Sequence, residues 1–133
     1  MDNEKEFSRW FSQAGFDLEA AKTSLNAGNY EWACYQAHQT AEKALKSFLF
    51  LNGKRMVVTH SIQKLLLECL AFNVEFQQIS LAKSLDMYFI PTRYPSGLPD
   101  QIPHEFYQKE DAMVCVYYAE KILSLIKNLT GKQ

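Results

Sequence analysis

The amino-acid sequence predicts an all-α protein: an antiparallel, up-and-down bundle of about five helices, with a long proline-rich loop before the last. Three observations carry this. Apolar residues recur at three- and four-residue steps in successive stretches, the spacing that gathers side chains on one face of a helix. No stretch alternates apolar and polar residues between turns, and Asn52-Gly53 follows a helix instead of joining two strands. All four prolines, at 91, 95, 99 and 103, fall between residues 89 and 107, so the rest of the chain lacks the residue that most strongly breaks a helix.

The first helix starts at Asn3-Glu-Lys-Glu6, with Asn3 as its cap and Glu6 three residues on. Phe7, Trp10, Phe11, Ala14, Leu18, Ala21 and Leu25 form its apolar stripe. It stops at residues 26–29, where Gly28 can adopt the left-handed conformation that closes a helix. That loop is short, so the second helix, about residues 30–51, runs antiparallel beside the first. Ala33, Ala37, Ala41 and Ala44 share one of its faces, and such small side chains let a neighbour come close. Its other faces are more apolar than those of the first helix, which implies contacts on more than one side.

A connector at 53–58 leads to Thr59 or Ser61 as cap of a third helix, which carries Ile62, Leu65, Leu66, Cys69 and Leu70 and is broken at Asn73. A fourth, over about residues 75–87, carries Phe76, Ile79, Leu81 and Leu85. The segment 89–107 is long for a loop in a compact domain, and its aromatics Phe89, Tyr94, Phe106 and Tyr107 mark it as packed and not disordered. The last helix, about residues 108–129, presents Ala112, Cys115, Val116, Ala119, Ile122, Leu123 and Ile126.

A chain of 133 residues is expected to form one domain spanning 1–133. Its net charge of −1 supplies no field for gathering a polyanion, so a phosphate site must be a local patch and no strong nucleic-acid footprint is expected. The same near-neutrality leaves little repulsion against self-association. Cys34, Cys69 and Cys115 are widely spaced inside apolar helical patterns and read as buried, reduced thiols. The opening MDNEKEF lacks the apolar core of a secretory leader, and no apolar run reaches the roughly 20 residues of a membrane span. The expectation is a cytoplasmic protein without membrane contact. His38, His60 and His104 have no metal-ligand spacing, and neither a Gly-x4-Gly-Lys-Ser/Thr loop nor a Gly-x-Ser-x-Gly elbow occurs. No metal and no cofactor is expected.

Arg93 is the sharpest candidate. Pro91 and Pro95 bracket it, and Thr92 and Tyr94 set hydroxyls on either side. A guanidinium offers five donors in a planar fork that suits phosphate or carboxylate. Two uses stand open: an anion or nucleotide site, or a strut paired with a helix carboxylate such as Asp86 or Glu42. Lys43 and Lys46, three apart, can face one cleft with Arg93 or stand solvated. Tyr88 or Tyr94 would offer a ring to a base. His38, beside the alanine stripe, reads as a part-buried hydrogen-bonded side chain, and His60 as a group satisfying the start of helix three. Trp32 and Tyr35 lie off the stripe, where aromatics serve as core or as interface anchors.

Several of these pieces occur together in one known family. Trp10-x3-Ala14-x2-Asp17-Leu18-x2-Ala21-x3-Leu25 comes first, then Gly28-Asn-Tyr30, then Ala33-Cys34-x2-Ala37-x-Gln39-x-Ala41-Glu42-Lys43-Ala44-Leu45-Lys46. His60-Ser-Ile62-x2-Leu65-Leu66 and Tyr88-x2-Pro91-Thr92-Arg93-Tyr94-Pro95 follow in the same order. Over nearly its whole length the chain resembles the HEPN domain family (higher eukaryotes and prokaryotes nucleotide-binding). The resemblance implies a helical bundle that commonly forms a two-fold dimer, often encoded beside or fused to a small nucleotidyltransferase. It also implies membership among toxins, antitoxins, RNases or nucleotide binders.

RNase members carry an arginine, four to six residues, then a histidine on a late helix. Here that spacing occurs only from Arg55 to His60, in the connector before helix three, while His104 follows Arg93 by eleven positions. The leading expectation is therefore a non-enzymatic, dimeric nucleotide-binding or regulatory module paired with a nucleotidyltransferase, its site built from Arg93, Thr92, Tyr94, Tyr88, Lys43 and Lys46. The alternatives are a metal-independent RNase toxin using Arg93 with His104 or Arg55 with His60, and a ligand-free interaction domain.

Overall fold

The computed structural model describes residues 2–131. Among these are no strands but five α-helices: α1 (Asn3–Asn26), α2 (Tyr30–Leu51), α3 (Ile62–Leu70), α4 (Pro103–Phe106) and α5 (Lys109–Thr130). A 3₁₀ segment spans Val74–Tyr88 and a 3₁₀ turn Pro95–Gly97. The architecture is the all-α bundle that the spacing predicts, with α1, α2 and α5 as its long members.

α2 is the spine. It packs along α1 and α5 and also meets α3 and the 3₁₀ segment, which is why its sequence is apolar on several faces. Ala33, Ala37, Ala41 and Ala44 are fully buried, as are Ala14 and Ala21 of α1 and Ala112 and Ala119 of α5. Close helix approach leaves gaps that Phe7, Leu45, Leu49, Ile122 and Ile126 fill. Burying a side chain of that size contributes about 1.5–3 kcal/mol. Gly28 (φ +82°) and Gly53 (φ +90°) close α1 and α2 in the left-handed region.

One cap differs from expectation. The cap of α1 is Asp2, whose carboxylate accepts from the Lys5 amide at 3.2 Å; Asn3 is the first helical residue and its Oδ1 accepts from Arg55 Nη2 at 2.7 Å. Of two adjacent cap-type residues, the charged one suits the positive end of the helix dipole better.

The fourth helix is not α. Its backbone is 3₁₀, with a kink at Ile79 (φ −116°, ψ 24°). Phe76, Ala82 and Leu85 are buried and Ile79 and Tyr88 partly so, a strict three-residue step that matches three residues per turn. Leu81, expected on the apolar face, is 67% exposed.

The proline-rich segment is packed at intervals. Thr92, Pro103 and Tyr107 are buried, and Pro103 opens α4 at a position that needs no amide donor. Tyr94 and Phe106 are exposed, so only part of its aromatic content serves the core. No described helix is long and apolar enough to cross a membrane.

Candidate functional site

Glu31, Tyr35, His38, Glu42 and Lys46 recur along α2 at steps of four, three, four and four, so they share a face. Each member meets a group brought from elsewhere or from the next turn. Glu31 takes the His104 ring through Nδ1 at 3.0 Å. Tyr35 lies under Arg93. His38 Nε2 is 3.3 Å from Asp86 Oδ1. Glu42 takes His60 Nδ1 at 3.0 Å and Lys46 Nζ at 2.9 Å. The polar row is where the connector, the 3₁₀ segment and the proline-rich loop converge on the spine.

Arg93 is half-buried. Its guanidinium carbon sits 4.6 Å from the Tyr35 ring centroid, 4.8 Å from Phe89 and 5.4 Å from Tyr94, within cation–π range of all three. Nε donates to the Phe89 carbonyl at 3.1 Å, and Nη1 reaches the Tyr35 hydroxyl at 3.5 Å. Among the described residues, no carboxylate stands within ion-pairing distance of it. Asp86 and Glu42, the two candidate counter-ions, are engaged elsewhere.

Asp86 caps α3 from 24 residues away. Its carboxylate accepts from the Ile62 amide at 2.6 Å, the Gln63 amide at 3.0 Å and the Ser61 hydroxyl at 3.2 Å. Ser61 in turn caps the Lys64 amide. An anion at a helix N-terminus is favoured by the dipole. His38 is fully buried, and its Nδ1 has no hydrogen-bond partner among the described residues. Burial lowers its pKa, partly offset by the Asp86 hydrogen bond and the nearby carboxylates.

His60 is the open counterpart of His38. Its side chain is 60% exposed although Nδ1 is held by the nearly buried Glu42. Its ring stacks on Phe89 at 5.2 Å and 21°. Phe89 is thus a hub, with His38 at 4.8 Å and Tyr35 at 6.1 Å from its centre as well.

The lysines expected beside Arg93 have other partners. Lys43 Nζ binds Asp17 of α1 at 2.7 Å, in a groove with Arg9, Trp10 and Gln13. Lys46 is buried, paired with Glu42 and 5.9 Å from the Trp10 ring centre. Thr92 is also buried, and its hydroxyl donates to the Tyr88 carbonyl at 2.6 Å. The Tyr88 hydroxyl donates to Asp111 at 3.3 Å, and burial, more than the neighbouring acidic groups, pushes its pKa up. Of the six expected ligand-binding side chains, Arg93 and Tyr94 stand together and open; the other four are committed to internal bonds.

Arg55 donates to Asn3 and to the Phe50 and Lys54 carbonyls, tying the end of α2 to the start of α1. By contrast, Arg93 and His104 are anchored on Tyr35 and Glu31, one turn of α2 apart, or about 6 Å of helix rise. Among the described residues, no group of three or more His, Cys, Asp or Glu side chains could hold a metal ion.

The HEPN domain family pattern matches residues 7–129, and the chain belongs to that family. A Methanocaldococcus jannaschii protein named "Putative toxin MJ1304" is 32% identical over 131 residues, covering 90% of this chain and 84% of that one. Two solved structures show the same fold at similar identity. TT1696 from Thermus thermophilus is 35% identical with a TM-score of 0.85, over 92% of this chain and 96% of its own. ST0689, an archaeal HEPN homologue, is 36% identical with a TM-score of 0.74, over 92% of this chain and 96% of its own.

Proposed function

We propose that this chain is a nucleotide-binding HEPN module that works as a homodimer with a small nucleotidyltransferase, in a toxin–antitoxin type of pair in the cytoplasm. One observation carries the reading: the Arg93 guanidinium is half-desolvated and held by rings and neutral acceptors, without a carboxylate among the described residues. A cation so placed is a standing partner for phosphate, to which it can donate in bidentate fashion. Tyr94, 52% exposed, supplies a ring for the base. The name of the M. jannaschii relative supports the toxin–antitoxin setting. The family resemblance supports the dimer and the nucleotidyltransferase, and three buried thiols agree with a reducing compartment.

Calorimetry against ATP, GTP and AMP tests this. Arg93→Met keeps an apolar stem against Tyr35 and Phe89 but removes the charge, so heat of binding is expected to vanish while the melting temperature moves by a few degrees at most. Wild-type affinity in Arg93→Met would sink the reading.

The second reading is a metal-independent RNase, favoured by the anchoring of Arg93 on Tyr35 and of His104 on Glu31, residues one turn apart on α2. His104 would move the proton while Arg93 holds the scissile phosphate. Cleavage of a labelled single-stranded RNA in excess EDTA, lost in Arg93→Met and in His104→Ala, would establish it. An intact RNA at high enzyme concentration would exclude it.

A further inference from the structure

We infer that His60 is a second ligand-binding group of the Arg93 site, aimed by Glu42, and that its Nε2 donates to a phosphate ester held by Arg93. The inference rests on the nucleotide-binding reading and deepens it.

The geometry separates His60 from a merely structural histidine. One ring nitrogen is fixed, Nδ1 on Glu42 at 3.0 Å, and the ring plane is fixed by stacking on Phe89. The side chain nevertheless stays 60% exposed, so an oriented imidazole faces outward with its second nitrogen unused among the described residues. His38, beside the same Glu42 carboxylate, is sealed.

Arg93 lies 4.8 Å and His60 5.2 Å from the centre of the same Phe89 ring, which limits their separation to the sum of the two distances. A single phosphate, a diphosphate or two successive phosphodiesters fit within that span. The acidic groups beside the site do not bar an anion. Glu42 is neutralised by Lys46 at 2.9 Å, and Asp86 is bound to two α3 amides and Ser61.

With Nδ1 held on Glu42, Nε2 carries a hydrogen only in the imidazolium form, and that Nε2–H is what a phosphate oxygen accepts. The titratable and charged groups that meet His60 directly are Glu42 and His38 from α2; Lys46 and Asp86 stand one step behind, as partners of Glu42 and His38, and Arg93 shares the Phe89 ring with His60. Of these, only the histidines titrate between about pH 6 and 8 in their ordinary state, and His38 has no path to ligand.

The experiment measures affinity for two probes, ATP and a fluorescein-labelled single-stranded RNA hexamer, at about pH 6 and pH 8, on either side of the ordinary histidine range. Wild type is expected to bind several-fold more tightly in acid. His60→Ala and His60→Gln are both expected to lose about tenfold there, the loss of one charge-assisted hydrogen bond, and to erase the pH dependence. The His60 Cε1–H resonance of the wild type should shift on titration with the bound probe, a readout that needs no variant to fold. Preference for ATP over the hexamer marks a free nucleotide as the ligand; the reverse marks RNA. Arg93-dependent binding that ignores both His60 variants and leaves the resonance unmoved overturns this inference and spares the reading beneath it. Failure of the wild type to bind either probe overturns both.

Discussion

At the scale of single residues, the protein shows what burial does to one side chain type. His38 and His60 share Glu42 and Phe89, yet one is sealed and the other open. The consequence for His38 can be signed. Burial depresses its folded-state pKa below the ordinary value of 6.5, so the folded state resists the proton that the unfolded state accepts. Below about pH 6.5 the unfolded chain binds more protons, and stability falls as pH falls until the folded-state value is reached. Above about pH 6.5 both states carry neutral His38, and this residue contributes no pH dependence. Thermal melts of the wild type and His38→Gln across roughly pH 7.5 to 5.5, the span of the ordinary histidine titration, check this. The variant is expected to be less stable at neutral pH and flatter with acid, so the two curves converge. Parallel curves would show that His38 takes up its proton equally in both states.

At the scale of elements, α3 depends on a side chain outside it. Asp86 occupies its first amides, so Asp86→Ala strips both the cap and the anion at the dipole. The expected loss is about 0.5–2 kcal/mol, read as a shift in the denaturant midpoint, with Asp86→Asn keeping part of it. An unchanged midpoint would mean that Ser61 alone caps the helix. The alanine stripe makes the opposite test. Ala37 is fully buried in the spine, so Ala37→Leu is expected to overpack the seam by about 1–3 kcal/mol; a neutral result would mean unfilled space there.

These two cases also mark what the sequence reveals. The stripe is legible because helical contacts repeat at fixed short steps, and α1, α2, α3 and α5 follow from the same rule. The 3₁₀ character of Val74–Tyr88 is written in the strict step Phe76, Ile79, Ala82, Leu85, Tyr88. A short run at period three differs little from one at 3.6, and Leu81 at the wrong step obscures it. Arg93 stands out locally because prolines frame it. Its aromatic bed from Tyr35, the His60–Glu42 pair 18 residues apart and the Asp86 cap 24 residues apart are set by the fold, and no local spacing encodes them. Lys43 and Lys46 mislead for the same reason: three residues apart on a helix fixes a neighbourhood, while Asp17 and Glu42 decide the partners.

At the scale of the whole molecule, one question is whether the chain behaves as a single cooperative domain. The cysteines can answer it, because they report from three elements. Cys34 lies on α2, Cys69 on α3 and Cys115 on α5, and all three are buried. Cys69 is pushed strongly upward in pKa by burial, with a smaller push from Glu68, and its thiol reaches the Leu45 carbonyl at 3.5 Å. Cys115 is pushed upward by its hydrogen bond to Cys34 and by burial. The nucleophile is the thiolate, so a sealed thiol of this kind reacts only after the structure opens. If α1, α2 and α5 and the smaller lobe of α3 with the 3₁₀ segment open together, the three thiols must become accessible in the same event. Alkylation by iodoacetamide, resolved by peptide mass, is expected to proceed at rates within a few-fold of one another, and guanidinium should raise all three in parallel. The alternative has a definite signature. Cys69 alone, modified more than about tenfold faster than Cys34 and Cys115, would mean that α3 and its 3₁₀ neighbour open as a separate unit. Since that lobe carries Asp86 and abuts His60, such opening would make the polar row on α2 the hinge of the molecule and would couple ligand binding to the lobe's closure.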